Sequence, residues 1–327
     1  MPPNTQQTLT RRLLYGLLFG FLVMLILTLV GDIHQVSEQV RGFRWSLYPA
    51  VLLLTLFNYL LRGVKFHYYL RQIGAKEISL RESFHLFVAG FPLAVTPGKV
   101  GEALKGVWIH QQTGQSTARG IAVVVAERIS DGLAVILLST LGVIAYPQYW
   151  PAFAAILIVL LGIIIVSQIR PLALALLDLA AKLPLVKRFA GGLREFYEGS
   201  FALFNPLTTL VAVGLGTISW LGEGIGFYLI LIGLGIVPGW GTLSIAVFVL
   251  AFSTVVGAVS ALPGGLGAAE ASIAGMLALL LGIHTDLAAA ATLLIRFATL
   301  WFSVALGLLV WTFSRELLGL GNQGSGD

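Results

Sequence analysis

The sequence contains one long apolar segment that a proline and three glycines interrupt. The segment runs from residue 243 to residue 281, and its only charged residue is Glu270, which follows the interruption Pro263-Gly264-Gly265-Leu266-Gly267. In lipid, such an interruption exposes backbone amide and carbonyl groups that cannot reach water. It is stable only where other protein segments or a water-filled cavity cover it. The rest of the chain must therefore surround this point.

The composition assigns the chain to the multi-pass membrane proteins. Hydrophobic residues make up 57% and charged residues 11% of the 327 residues, and the mean hydropathy is +0.91. Soluble domains average about 25% charged residues. The formal net charge is +5, but the basic residues lie mainly in loops between apolar segments, which indicates membrane topology and not nucleic-acid binding. The absence of cysteine excludes disulfide and thiol chemistry.

Six apolar segments are long enough to cross a bilayer, which takes about 20 residues. They lie at residues 13–31, 47–70, 121–146, 151–169, 207–234 and 287–313. The polar residues 32–44 between the first two are interpreted as a loop. Residues 170–206 mix basic and apolar residues. They predict one or two amphipathic helices on the membrane surface or, alternatively, a buried helical linker.

A second interrupted segment lies earlier in the chain and reads Pro97-Gly98-Lys99-Val100-Gly101-Glu102. Its arms, residues 84–95 and 99–109, are each too short to cross the bilayer. We expect both interrupted segments to be re-entrant hairpins, because twelve basic residues then lie in cytoplasmic loops and only Arg41 and Arg44 lie outside, in agreement with the positive-inside rule. Both termini are then cytoplasmic, and the protein lies in the cell (inner or plasma) membrane. Residues 243–262 are, however, long enough to span alone.

The two interruptions occupy matched positions of a predicted internal repeat. The corresponding residues, 161 to 168 positions apart, are Gly74 and Gly235, Pro97 and Pro263, Gly98 and Gly264, Gly101 and Gly267, Glu102 and Glu270, and Arg128 and Arg296. Repeat one covers about residues 47–146 and repeat two about 207–313, within a single membrane domain over residues 1–327. Chance matching in a glycine- and alanine-rich chain is the alternative. The expected fold is an all-α polytopic membrane protein with six full spans plus two re-entrant helical hairpins in an inverted repeat, as in many secondary transporters.

Eleven ionisable residues fall inside the predicted spans and hairpins. They are Arg62, Lys65, Lys99, Glu102, Lys105, Glu127, Arg128, Asp131, Glu223, Glu270 and Arg296. At about 2.5–3.5 kcal/mol each, exposing all of them to lipid would cost on the order of 30 kcal/mol. Proteins have net stabilities of only about 5–15 kcal/mol. These residues must therefore pair, reach an interface or line a wet cavity.

Helical spacing suggests partners for several of them. Glu102 lies three residues from both Lys99 and Lys105, and Arg128 lies three residues from Asp131, so each set shares one helix face.

Two further groups are open to interpretation. Arg62 and Lys65 either extend to the cytoplasmic interface or pair inside the bundle. Glu223 lies in Trp220-Leu221-Gly222-Glu223-Gly224-Ile225-Gly226, where the glycines allow another helix to approach closely.

The ionisable residues near the interruptions are candidates for binding a charged lipid headgroup. The candidates are Lys99, Glu102, Lys105, Glu127, Arg128, Asp131, Glu223, Glu270 and Arg296, with hairpin breaks at Pro97, Gly98, Gly101, Pro263, Gly264, Gly265 and Gly267. Structural ion pairs between helices are the alternative. A headgroup is favoured because the charges cluster at the breaks, where helix starts offer free N–H groups to a phosphate. Glu102 and Glu270 are expected to meet near the midplane.

Three motifs resemble one known family. Thr96-Pro97-Gly98-Lys99-Val100-Gly101-Glu102, Glu127-Arg128-Ile129-Ser130-Asp131 and Leu262-Pro263-Gly264-Gly265-Leu266-Gly267 with Glu270 are similar to the transmembrane region of lysylphosphatidylglycerol synthases. The portion 58–62 resembles it too, and the resemblance covers about residues 10–315. Lys105 departs from the family pattern, in which an arginine is expected. The sequence ends at Asp327, so we expect no soluble aminoacyl-transferase domain and no lysine transfer.

The resemblance implies a flippase-like lipid transport protein. We expect it to move an anionic or lipid-linked envelope lipid between leaflets, with Lys99 and Arg296 holding the headgroup while Glu102 and Glu270 gate it or bind a cationic group. The alternative is a membrane-embedded accessory subunit or enzyme of lipid or lipid-linked sugar modification, with a separate transferase or glycosyltransferase as partner. The sequence shows no catalytic motif and no metal-spaced histidines, so we expect no enzymatic activity, no cofactor, no metal and no nucleic-acid partner.

Overall fold

The computed structural model describes residues 33–96, 101–143, 150–180, 182 and 190–313, together with Tyr15, Leu18, Gly20, Leu22 and Val23. This part of the chain is helical and contains no β-strand, which confirms the predicted all-helical class. Its α-helices are α1 (Ile33–Gly42), α2 (Tyr48–Gln72), α3 (Leu80–Ala89), α4 (Leu104–Thr113), α5 (Thr117–Val143), α6 (Trp150–Gln168), α7 (Arg170–Ala180), α8 (Ala190–Leu203), α9 (Pro206–Gly233), α10 (Trp240–Val259), α11 (Ala268–Leu281), α12 (Thr285–Arg296) and α13 (Phe302–Phe313). Short 3₁₀ turns lie at Trp45–Leu47, Phe91–Val95 and Pro263–Gly265, and a π-helical turn lies at Phe297–Trp301.

Several of these helices are long and apolar enough to cross a membrane. Five such segments are Trp45–Gln72, Pro206–Gly233, Trp240–Val259, Pro263–Leu281 and Thr285–Phe313. A sixth arises if Ala154–Gln168 and Arg170–Leu179, which are bent by 94° relative to each other, count as one broken span. The predicted span at residues 13–31 lies largely outside the described residues. The protein is a multi-pass helical membrane protein, and the division into six spans and two re-entrant hairpins stays a prediction.

The segment interpreted from the sequence as a loop contains a helix, so that interpretation is wrong. Helix α1 packs against α12. Val36 is buried together with Ala289 and Ala290, and Val40 packs against the same cluster. Helix α1 is polar on average, and its valines lie one helical turn apart. Its stability comes from tertiary packing of this narrow apolar face, which local sequence composition does not reveal.

The linker between the predicted repeats forms two helices. Helix α8 packs along α5 and α7. Two surface ion pairs join α7 to α8, Arg170 with Glu198 at 2.7 Å and Arg194 with Asp178 at 2.9 Å. The prediction from the sequence was one or two amphipathic helices, and their position at the membrane surface stays a prediction.

The first chain break separates two short helices. Helices α3 and α4 contain 10 residues each, about 15 Å, which is half the thickness of a bilayer core. The turn Phe91–Val95 follows α3, and the N–H of Gly101 donates to Thr96 Oγ1 at 2.9 Å. Residues 97–100, which include the predicted break residues Pro97 and Gly98 and the candidate Lys99, lie outside the described residues.

The second chain break has a backbone that glycine alone adopts easily. Gly264, Gly265 and Gly267 have φ angles of 61°, 68° and 87°, in the left-handed region that is costly for other residues. The N–H of Gly267 donates to Glu270 Oε2 at 2.6 Å, so a carboxylate satisfies a free amide at the start of α11. The turn at Pro263–Gly265 contacts the turn at Phe91–Val95. Each break is therefore covered in part by the other.

A substitution in this break tests its close packing. A Cβ on Gly265 would lie 2.9 Å from Gly257 Cα on α10. We expect Gly265→Ala to lower the free energy of unfolding by about 3 kcal/mol, because left-handed strain of about 1–2 kcal/mol adds to overpacking of about 1–3 kcal/mol. Gly235 has a φ of 90°, but a Cβ on it would meet no atom within 4 Å, so Gly235→Ala controls for strain alone. The free energy of unfolding of both variants is measured by denaturation in detergent. Equal losses of this free energy in the two variants would contradict the packing argument.

Corresponding positions of the two halves share local structure. After α2, the N–H of Ala75 donates to the Leu70 carbonyl, and after α9, the N–H of Ile236 donates to the Leu231 carbonyl, both at 3.0 Å. In each case the preceding glycine, Gly74 or Gly235, has a positive φ, as a Schellman helix end requires. Helices α4 and α11 likewise both end at a left-handed glycine. The predicted correspondence thus extends to matching helix ends.

Glycines on α9 let two helices approach it closely. A Cβ on Gly222 would lie 3.2 Å from the Phe57 side chain on α2, and one on Gly224 would lie 2.8 Å from the Val247 side chain on α10. The predicted close helix approach is confirmed, and it occurs within one chain. It holds Glu223 at the junction of these helices, which is where the charged residues of the protein gather.

Candidate functional site

Seven charged residues converge on a partly open cavity of about 400 Å³. Helices from both halves line it, and both chain breaks reach it through Ala94 and Gly264. Its charged lining residues are Arg62, Lys105, Glu127, Arg128, Asp131, Glu223 and Arg296. The other lining residues are mostly apolar or aromatic. A cavity with seven charged residues in a mostly apolar lining thus lies where the two breaks meet.

Two carboxylates one turn apart on α5 form the centre of the ion-pair network. Arg62 lies 3.1 Å from Glu127 and 3.2 Å from Asp131. Lys65 contacts Asp131 at 2.5 Å and donates to Ser130 Oγ at 3.2 Å. Lys105 lies 3.4 Å from Glu127. Helices α2, α4 and α5 are therefore joined by three cations that share two carboxylates.

Arg62 and Lys65 pair inside the bundle and do not extend to the interface. The side chain of Lys65 is fully buried and that of Arg62 is 12% exposed. The Arg62 guanidinium also lies 5.7 Å from the centre of the Phe87 ring and 5.6 Å from that of Trp220. Aromatic faces stabilise a desolvated cation at such distances. The pairing alternative is confirmed for both residues.

The same ion pair occurs once in each half. Arg128 on α5 donates to both carboxylate oxygens of Glu102, from Nε at 2.9 Å and from Nη2 at 2.5 Å. Arg296 on α12 lies 2.5 Å from Glu270 and donates to the Gly264 carbonyl at 3.4 Å. The Nε of Arg296 and the Oε1 of Glu270 are close but outside hydrogen-bond geometry, so this contact is purely ionic. In each half an arginine ties a long helix to the segment that follows the break.

The partners suggested by helical spacing are wrong for the described residues. Glu102 pairs with Arg128 and not with Lys105, and Asp131 pairs with Lys65 and Arg62 and not with Arg128. The reason is that each side chain points into the bundle, where residues of other helices are closer than those one turn away. Glu102 and Glu270, which were expected to meet near the midplane, each contact an arginine of their own half.

Glu223 differs from the other carboxylates of the cluster. It is 5% exposed and lines the cavity. Every other acidic residue of the described cluster contacts a cation, but Glu223 has no hydrogen bond or ion pair with a described residue. Arg62, Asp131 and Arg296 act on it electrostatically from farther away.

The structure thus brings most of the candidate residues together. Lys105, Glu127, Arg128, Asp131, Glu223 and Arg296 line the cavity, and Glu102 and Glu270 lie behind their arginines. The candidate list omitted Arg62 and Lys65, although both had been noted as intramembrane charges. Within the described cluster, five cations (Arg62, Lys65, Lys105, Arg128, Arg296) face five carboxylates (Glu102, Glu127, Asp131, Glu223, Glu270). In the described residues, no group of three or more His, Asp or Glu side chains is arranged to hold a metal ion.

Two buried polar residues are absent from the candidate list drawn from the sequence. Asn58 on α2 is fully buried, and neither its amide oxygen nor its amide nitrogen has a hydrogen-bond partner among the described residues. The indole N–H of Trp220, which lines the cavity, is also unpaired there. Buried polar atoms normally have a partner, so these atoms depart from the usual pattern. Asn58 lies in a predicted span, and an asparagine in such an apolar segment is the signal that could have revealed it.

A multi-pass helical membrane protein with a cluster of charged residues around one cavity is the class of protein that this geometry defines. The chain matches the family described as Lysylphosphatidylglycerol synthase TM region over residues 13–307, and it belongs to that family. It is also similar to a UPF0104 membrane protein of Methanothermobacter thermautotrophicus, with 32% identity over 127 residues. That match covers 38% of this chain and 36% of the relative. The family resemblance drawn from the sequence motifs is confirmed, and the protein is a lipid-related membrane protein.

Proposed function

We propose that this protein is a flippase-like transporter that moves an anionic or lipid-linked envelope lipid between the leaflets of the cell membrane. The observation that carries the proposal is the cavity that both chain breaks and four basic side chains line. The headgroup passes through this cavity while the acyl chains stay in the surrounding bilayer.

The size of the cavity supports a headgroup as the occupant. Small-molecule sites commonly measure about 300–1,000 Å³, and the cavity has about 400 Å³. This volume is suited to a phosphate with a small polar substituent and is too small for a complete phospholipid. The acyl chains gain no hydrophobic stabilisation from leaving the bilayer, which is already apolar.

The cations of the cavity support an anionic headgroup. Arg128 is held by Glu102 through Nε and one terminal nitrogen, yet its side chain is 35% exposed. Its other terminal nitrogen has no hydrogen bond to a described residue and can donate to a phosphate, an anion that the planar guanidinium binds well. A phosphate at this position competes with Glu102 for the arginine, and it loosens the contact between α5 and the segment after the first break.

Alternating access is the mechanism we infer for this movement. In inverted-repeat transporters, broken helices at matched positions meet near the bilayer midplane and one repeat moves against the other. Here the matched ion pairs Arg128–Glu102 and Arg296–Glu270 are suited to open in turn, one toward each side of the membrane. Their position at equivalent sites of the two halves supports this inference.

Reconstitution tests the proposal directly. The purified protein is placed in liposomes with a fluorescently labelled phosphatidylglycerol in both leaflets, and a membrane-impermeant quencher reports the lipid that reaches the outer leaflet. We expect translocation at least several-fold faster than in protein-free liposomes. A polyprenyl phosphate and a neutral diacylglycerol analogue serve as further probes, the latter expected to move no faster than in empty liposomes. If both anionic probes move no faster than in protein-free liposomes, the proposal is overturned.

A further inference from the structure

Glu223 is buried in the cavity wall without a cation to neutralise it. The other acidic residues of the described cluster each have a basic side chain in direct contact. An isolated carboxylate is expensive inside a membrane, and it persists where it performs a function that a paired one cannot. Glu223 is 5% exposed and lines the cavity.

The groups that face Glu223 come from three helices. Arg62 and Tyr59 lie on α2, Asp131 on α5 and Arg296 on α12. Helix α10 and the turn Trp45–Leu47, which also pack against α9, carry no titratable residue. Both arginines already contact other carboxylates. Without Glu223 the described cluster has five cations and four carboxylates, so an ionised Glu223 makes it neutral and a protonated Glu223 leaves one positive charge.

An anionic headgroup changes this balance. A phosphate that enters the cavity adds a negative charge beside an unpaired carboxylate, and the two anions repel each other in a site with few mobile ions. Protonation of Glu223 removes the repulsion, since like charges that share a site favour the neutral form of one of them. Binding of the anion and binding of a proton are then reciprocally linked.

Building on the proposed function, we propose that Glu223 is a proton-binding site and that the protein carries one proton together with each phosphate-bearing anionic headgroup. The proton adds to a carboxylate oxygen of Glu223 from water on one side of the membrane. It leaves from the same residue to water on the other side when the headgroup departs. No bond of the lipid forms or breaks, and the proton and the headgroup charge cancel during the crossing.

A binding titration tests the proton site. Dioctanoyl phosphatidylglycerol is titrated into the purified protein in detergent from pH 5.5 to pH 8.5. Because the anion prefers the protonated acid, we expect affinity to be greatest at low pH. Above the pH at which Glu223 titrates, the affinity is expected to fall by up to tenfold per pH unit, which is the slope for one linked proton. Glu223→Gln, which mimics the neutral acid, is expected to show little pH dependence, whereas Glu223→Asp keeps it. A flat wild-type profile, or an unchanged slope in Glu223→Gln, would overturn the assignment.

A transport experiment separates this inference from the proposed function. In proteoliposomes loaded with the pH indicator pyranine, an imposed gradient of one pH unit is expected to raise the rate of labelled phosphatidylglycerol movement toward the alkaline side several-fold. For Glu223→Gln, the rate with the gradient is expected to equal the rate without it. Glu198→Gln is a matched change in a surface ion pair, and it is expected to keep the wild-type ratio of these two rates. Lipid movement that ignores the gradient overturns proton coupling alone. Absence of any lipid movement overturns the proposed function, and the binding titration still decides the proton site.

Discussion

Asp131→Ala is expected to destabilise the protein by about 3–5 kcal/mol, the usual loss when one partner of a buried ion pair is removed. Asp131 contacts both Lys65 and Arg62, so the substitution leaves Lys65, which is fully buried, without a carboxylate. The measurement is the midpoint of thermal denaturation in detergent, together with the fraction of protein that elutes as a single species on size exclusion.

A matched control is available on the surface. Asp178 pairs with Arg194, and both side chains are more than half exposed. Exposed pairs contribute about 0–1 kcal/mol, so Asp178→Ala is expected to leave the midpoint nearly unchanged. If both variants lose stability equally, the buried network is not what holds α2 to α5.

Glu270→Gln is expected to reduce the rate of lipid translocation at least tenfold while the protein inserts and folds normally. The amide oxygen still accepts the hydrogen bond from Gly267, so the start of α11 keeps its cap. The substitution removes the charge that holds Arg296. Arg296, which already donates to the Gly264 carbonyl, is then free to bind the headgroup at all times, and the contact that must open and close in turn is lost. The measurement is the liposome assay described above.

Two controls interpret this result. Glu198→Gln removes a carboxylate charge from a surface pair and is expected to transport at the wild-type rate. Glu102→Gln removes the equivalent charge in the first half and is expected to impair transport in the same way. Wild-type transport by Glu270→Gln would show that the Arg296–Glu270 pair is a structural link and not part of the moving machinery.

The sequence was sufficient to predict the helical class and the meeting of the two chain breaks at a charged centre. Long apolar runs reveal helices directly, and the cost of lipid-exposed charge requires the ionisable residues to gather. The matched glycines Gly74 and Gly235 also revealed positions where the same helix ending recurs, because that backbone conformation favours glycine over other residues.

The identity of the ion-pair partners could not be predicted in this way. Lys65 and Asp131 are 66 positions apart, and spacing rules relate only residues within one or two helical turns. Which residues of distant helices meet depends on how the helices rotate and cross. The unpaired state of Glu223 was equally hidden, since it depends on where Arg62 and Arg296 find their carboxylates.

Local irregularities of the helices were also beyond the sequence argument. The last long helix contains a π-helical turn at Phe297–Trp301, directly after Arg296. The hydroxyl of Tyr59 donates to the Thr299 carbonyl within this turn at 2.7 Å. Such a turn inserts an extra residue into the helix and re-aims the side chains beside it. Its stability rests on a contact from the other half of the chain, so the apolar pattern of the helix alone does not show it.

The equal numbers of basic and acidic residues in the described cluster have a consequence for how the membrane potential acts on the protein. A potential of 100 mV does about 2.3 kcal/mol of work on each elementary charge that crosses the bilayer. In the proposed cycle, the described charges of the cluster cancel when the empty cavity changes the side that it faces, so the voltage does little work on them. A headgroup that crosses together with a proton adds no net charge either. The proposed turnover is then governed by the acidity on the two sides of the membrane, and we expect depolarisation to leave its rate nearly unchanged.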